Sequence, residues 1–437
     1  MPTVYVLGAG ASIGASASGM TRFPSTFQLL QRVREIVCDK ERSTLPALTL
    51  YLSRFAPVRG FDYKAVQLQA DWDQINAEEL YAAIEFESRI TAHLMLESGD
   101  PGSGTKFYQE LFAEPYQKAV EALLRGPYKQ WMTDCYFASY GSEAWPYLHE
   151  NFLRIVKMEL LDSIAHTLGV LSEEEDTSNI ARLVRCFEEG DTAITFNYDL
   201  LLEQYLSRER SSDWSYLTGY ALRPISDKYS LQFQGTAPDH PSKFTVLKLH
   251  GSSNWHFKFN RSPHTGPFVM GRPLPEPVGA GNRVPDVRPA FFLFSDTFYK
   301  MIVPEGQPTG YFERFMIPPS TYKAEYSFVA NFIHNPRGEP RLFDTSTMFL
   351  PQLLYRSALQ ALTTADRVVF LGFSMAPADT SIRMLFRAAS DANTGLRDIE
   401  ICDPSDSVET RIKSVIPNAA NYKRFRYFGE LLDAWHA

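Results

Sequence analysis

VYVLGAGAS, residues 4–12, is the stretch on which the fold turns. The β-branched and aromatic run VYVL, stopped by Gly8, reads as a buried parallel strand. A Gly-Ala-Gly turn and a small residue leading into a helix is one way for a backbone to approach a pyrophosphate. Gly8 and Gly10 take away side chains that would block the ligand, and the amides that follow face the phosphates. The third glycine of a full G-x-G-x-x-G is missing, because Ile13 follows Ser12 and the next glycine is Gly14. A tight strand-to-helix turn with no ligand would use the same residues, so both readings stand at this point.

The pattern of a strand ending in small or polar residues recurs along the chain. In AITFNYDLLLEQYL a strand at 192–196 precedes a helix at about 200–206, which places Asn197 and Asp199 at a carboxyl strand end. Open α/β sheets bind their ligands there. Either residue could cap the helix, but two polar groups flanking Tyr198 exceed what a cap needs. In KLHGSSNW a strand at 244–249 delivers His250 and Gly251, an arrangement suited to a base facing a cleft, although lone histidines are often structural. In VVFLGFSMAPADTSIRMLF a strand at 367–371 ends in Gly372, Phe373 and Ser374, suited to a ribose or phosphate, before a helix at 380–389 capped near Asp379. A strand at 399–402 puts Asp403 where a carboxylate could hold ribose hydroxyls, with capping as the competing account of Asp379 and Asp403.

Strands alternating with helices imply an α/β fold, a doubly wound, parallel, Rossmann-like sheet. The whole chain, 1–437, reads as a single catalytic domain carrying two insertions. Residues 45–189 have helical periodicity and are rich in Leu, Ala, Glu and aromatics. Residues 258–345 read as loop-rich, and the Pro/Gly-dense part at 261–288 is expected to cover the nucleotide site. The 131–152 aromatics fill either the helical insertion's own core or a subunit interface.

Bulk properties narrow the function. The 437 residues are 44% hydrophobic and carry a net charge of -8 with no basic cluster, which argues against direct nucleic-acid binding. The four cysteines form no C-x-x-C pair and the nine histidines no H-E-x-x-H, so no zinc or other metal site is signalled. No run reaches the length of a membrane span, and the first basic residue, Arg22, follows the N-terminal apolar run instead of preceding it. A cytoplasmic protein is expected.

GAGAS, TFNYD, KLHGS and LGFS, in this order, resemble the sirtuin-like NAD-binding family, and more closely its zinc-free bacterial branch, whose members hydrolyse NAD in defence against phage. The resemblance implies that Gly8, Ala9, Gly10 and Ser12 cradle the pyrophosphate. It places Asn197 near the nicotinamide ribose, Asp199 on the carboxamide and His250 as the base. Thr195, Gly372, Ser374 and Asp403 would complete the nucleotide contacts. The implied function is an NAD+ glycohydrolase releasing nicotinamide and ADP-ribose, an abortive-infection effector with no cofactor beyond its substrate NAD+. Implied partners are further copies of the chain in a homo-oligomer, a partner ATPase or a phage-derived trigger. The chain departs from the pattern where GMTRFPSTF replaces the family's G-I-P-D-F-R, so Arg22 and Phe23 take no assigned role, and in lacking the deacylases' zinc module. Other acceptors remain open: cyclisation, a protein deacylase or ADP-ribosyltransferase, and a non-catalytic NAD or ADP-ribose sensor.

Overall fold

The computed structural model describes residues 2–40, 45–54, 75–97, 112–126, 128–129, 145–215, 218–220, 241–259, 268–271, 290–294, 297–301, 311–316, 350–377 and 379–436. Its strands in chain order begin with β1 (Thr3–Leu7), β2 (Thr192–Thr195) and β3 (Thr245–Lys248). They continue with β4 (Gly251–Phe259), β5 (Phe268–Gly271), β6 (Ala290–Phe294), β7 (Thr297–Met301) and β8 (Tyr311–Met316). The last three are β9 (Arg367–Leu371), β10 (Asp398–Cys402) and β11 (Asn421–Phe425).

Six strands form one parallel sheet in the order β11-β10-β9-β1-β2-β3. Every residue of β1 is buried, as a continuous apolar strand covered on both faces must be. The chain runs outward from β1 through β2 to β3, then returns to β1's other edge and runs outward again through β9, β10 and β11. This is the doubly wound Rossmann-like order, with its reversal between β1 and β9. Val4 pairs with Thr192 on one side and Val368 on the other, and Leu7 with Thr195 and Leu371, so three carboxyl strand ends lie side by side.

Within 45–189 the described elements are helices: α3 (Pro46–Leu52), α4 (Ala77–Glu97), α5 (Glu114–Arg125), α6 (Trp145–Glu174) and α7 (Ser178–Arg185), following the short α1 (Ala9–Ile13) and α2 (Leu29–Val33). Residues 26–40 form three pieces, a 3-10 turn (Thr26–Gln28) behind a Ser25–Gln28 capping box, then α2, then a π-helical segment (Arg34–Lys40).

Residues 258–345 depart from the loop-rich expectation. Their described segments are strands, and β4 to β8 pair antiparallel in the order β7-β6-β5-β4-β8. The expected cover at 261–288 lies outside the described residues except for β5. Leu249 and His250 alone separate β3 from β4, so the chain passes from one sheet into the other across a two-residue turn, with Gly251 at a φ of 76°. That left-handed conformation suits glycine.

Gly372 makes a similar demand at the end of β9. Its φ is 55°, and a Cβ there would lie 2.2 Å from the carbonyl carbon of Gly10. Gly372→Ala is therefore expected to cost at least about 2 kcal/mol, from left-handed strain plus the clash. Urea denaturation checks this, and an unchanged midpoint would mean that the two loops do not pack as described.

Candidate functional site

The β1–α1 turn meets the end of β9 at the point where the strand order reverses. Gly8 N–H donates to Leu371 O and Gly10 N–H to Gly372 O, each at 3.0 Å. A Cβ on Gly8 would come within 2.5 Å of Gly372 O, and one on Gly10 within 2.6 Å of Gly372 Cα. The glycines thus have a packing reason to be glycine, independent of any ligand, and the Gly10 amide is already engaged. Ala9 is the exposed residue of the turn.

At the end of β2, Asn197 is half-buried, and its Nδ2 donates to Gly8 O and to Ser12 Oγ, both at 3.0 Å. Ser12 Oγ donates in turn to Asp199 Oδ2 at 2.7 Å. Asp199 Oδ1 accepts from Leu201 N–H at 3.2 Å at the start of α8 (Leu201–Glu209), so Asp199 holds the first turn of that helix as well as Ser12. Thr195, buried, accepts the Asn197 N–H at 3.1 Å. Both Asn197 amide hydrogens are spent inside this network, and its Oδ1 is the group left to orient a ligand.

Below the network is a group that the sequence reading did not single out. Lys248 on β3, fully buried, donates from Nζ to Asp199 O at 2.6 Å and pairs with Glu203 Oε1 at 2.8 Å. Tyr220 OH also donates to Glu203 Oε1, at 3.2 Å. The ammonium ties β3 to the turn bearing Asn197 and Asp199. A lysine inside an apolar strand, KLH after FTVL, was the signal available.

His250 is not on an open cleft as expected; it is only 3% exposed. Phe196 meets its ring edge-on at 5.0 Å between centroids, and Tyr198 lies at 6.4 Å. Phe373 stacks on Phe196 at 4.6 Å, which extends the aromatic wall to the end of β9. Asp379 Oδ2 faces His250 Nε2 at 3.9 Å. The other Asp379 oxygen, Oδ1, caps α10 (Thr380–Ala392), accepting from Ile382 N–H at 3.4 Å and from Ser381 Oγ at 3.3 Å.

The residues expected on the adenosine side lie on the β9–β10 rim. Ser374 is exposed, and its carbonyl accepts from Arg411 Nε at 2.9 Å. Asp403 Oδ1 accepts from Ser405 N–H at 2.8 Å, and burial pushes its pKa above the usual carboxylate value. Arg424 donates to Asp403 O at 3.2 Å, so two guanidinium groups not picked out from the sequence border this rim. Arg22 belongs elsewhere, paired with Glu174 at 3.0 Å and Glu175 at 2.5 Å. Among the described residues no group of three or more His, Cys, Asp or Glu side chains is placed to hold a metal ion. No helix among them is long and apolar enough to cross a membrane. No protein-family model and no curated protein matches the chain.

The Lys248–Glu203 pair gives a direct test of this geometry. Lys248→Met alone strands the buried Glu203 carboxylate and is expected to cost about 3–5 kcal/mol, whereas adding Glu203→Leu should recover most of that loss. Urea denaturation of both variants decides, and a single variant as stable as the parent would contradict a buried pair.

Proposed function

We propose that the chain is an NAD+ glycohydrolase of the sirtuin-like kind, cleaving the nicotinamide–ribose bond with water as acceptor. The observation that supports this reading is the meeting of the Gly8–Ser12 turn, Asn197, Asp199 and Gly372 at one topological switch point, with His250 against Phe196 at the end of β3. These are positions the resemblance names, drawn from four distant parts of the chain. A dinucleotide bound at a switch point lies across the carboxyl strand ends, with its pyrophosphate near the first turn.

In this reading the leaving group needs no acid, because the pyridinium departs with the bonding electron pair as neutral nicotinamide. The protein's work is to hold an oxocarbenium-like ribose and to aim water at its far face. Asn197 Oδ1 orients the ribose hydroxyls or the water, and Asp199 stiffens the turn by engaging Ser12. His250 takes the proton that the attacking water releases. The aromatic wall of Phe196 and Phe373 keeps bulk water from the reacting bond.

A second reading, an NAD or ADP-ribose sensor without turnover, is favoured by one specific observation. The Asn197, Ser12 and Asp199 side chains bond to one another and to backbone, an arrangement that a static binding loop would also need. Incubating purified protein with NAD+ and following free nicotinamide separates the two. Hydrolysis predicts nicotinamide release that falls by about 10²-fold or more in His250→Gln, a substitution that keeps the buried volume filled. NAD+ binding with no nicotinamide released would establish the sensor.

Self-association through the helical insertion belongs to the same proposal, with an ATPase or a phage-derived trigger as further controls. Phe86 and Ile90 on α4 stay exposed one turn apart and would supply apolar contact. Light scattering combined with turnover across a concentration series is expected to show activity rising with oligomer. A monomer of constant specific activity would remove this part of the proposal.

A further inference from the structure

Asp379 does two jobs with two oxygens. Oδ1 is committed to the start of α10, where it accepts from Ile382 N–H and Ser381 Oγ. Oδ2 is turned toward His250 Nε2, at 3.9 Å. Both side chains are buried, His250 at 3% exposure and Asp379 at 6%. A carboxylate this enclosed acts through a less polar medium than water, so its influence on the imidazole is strong. The Tyr355 phenol packs near Asp379 and Ser381 from α9 (Leu350–Thr364), and burial holds its pKa above the ordinary tyrosine value, so it stays protonated and brings no second charge. Among the described residues, Tyr198 is a further ionisable ring beside His250, with Phe196 closing the edge.

We propose that Asp379 is the positioning residue for His250, fixing its ring and placing the proton on Nε2 so that Nδ1 is the basic atom. This rests on the hydrolase reading for its catalytic consequence and on geometry alone for the pairing. The 3.9 Å separation is within ion-pair reach once the imidazole is protonated and is too long for a hydrogen bond. Contacts of this kind commonly shorten when a substrate is bound. An acidic partner on the nitrogen opposite the working one is the general device for fixing a histidine base: it selects the tautomer and stabilises the imidazolium once the proton arrives. In the hydrolytic step the attacking water forms the new C–O bond and gives its proton to Nδ1. The C–N bond breaks with its electron pair going to nicotinamide, and the resulting imidazolium is balanced by Asp379.

Capping and positioning can be separated because they use different oxygens. Asparagine caps helices as well as aspartate does. In Asp379→Asn the amide oxygen is held at the cap by the Ile382 N–H, so the NH2 group takes the place of Oδ2 and faces His250. It can only donate, which forces Nε2 to accept and moves the ring proton to Nδ1. The variant should therefore fold with nearly the parent's stability while carrying the wrong tautomer.

The experiment has two readouts on full-length protein. In 15N-histidine-labelled protein, two-bond nitrogen–proton spectra report the tautomer of each ring, with His250→Gln identifying the His250 signals. The parent is expected to show Nε2–H at His250 and Asp379→Asn to show Nδ1–H, with unchanged thermal unfolding. Nicotinamide release should fall about 10²-fold in kcat with little change in KM for NAD+. An Nδ1–H tautomer in the parent, or the same tautomer in both proteins, would overturn the pairing whether or not the protein hydrolyses NAD+. Parent-level kcat in Asp379→Asn would overturn the positioning role. If the parent releases no nicotinamide, the hydrolase reading fails, and the tautomer readout still decides the pairing.

Discussion

Backbone touches backbone where the first loop of the sheet crosses the end of β9. Gly8 and Gly10 lie against Gly372 with no side chain between them, joined by two amide-to-carbonyl hydrogen bonds. That contact brings the two halves of the doubly wound sheet to one edge. Asn197 then reaches across from β2 to Gly8 O, so the same loop is held from both sides. Had any of the three glycines a Cβ, the turn would have to lift away, and the Ser12, Asn197 and Asp199 bonds would stretch with it. The polar network at the site is thus downstream of a steric fact about three residues.

Beneath it lies a second layer of control that is electrostatic. Lys248 stands on a strand whose neighbours are buried and apolar, a costly place for a charge unless it is paired. Glu203 and the Asp199 carbonyl supply that pairing, and both belong to the segment that follows Asn197. A buried pair of this kind adds little net stability over an apolar filling, but it fixes where its partners lie. What it fixes here is the register of the β2–α8 turn against β3, and with it the relation of Asn197 to His250.

How much of this could be read in advance depended on where the controlling interactions lie. β9 was legible to the residue because RVVFL is an unbroken apolar run closed by a glycine. β11, NYKRF, was missed because as an edge strand it sets Lys423 and Arg424 side by side between two aromatics and buries little. The antiparallel sheet was taken for loops, since β5 to β8 are four to six residues each, set among Pro and Gly clusters that mark irregular chain. At the site, strand-end positions were readable, but partners were not. Asp199 read as a ligand contact or a cap is also the acceptor for Ser12, and the burial of His250 follows from Phe196 and Asp379, which come from separate elements. Local pattern says where a strand stops. It carries no record of which distant side chain will be waiting there.

The position of β1 at the centre of its sheet has a consequence for the chain as it is being made. Thr3–Leu7 is made before both strands it pairs with, Thr192–Thr195 on one side and Arg367–Leu371 on the other. At usual elongation rates the ribosome needs on the order of tens of seconds to travel from the first strand to the last of these. Until then the glycine turn has no Gly372 to rest on, His250 has no Asp379, and the sheet has no centre. The first loop therefore lacks its backbone partner until β9 has been made. A late-closing sheet is slow to fold, because its contacts join residues far apart in the chain.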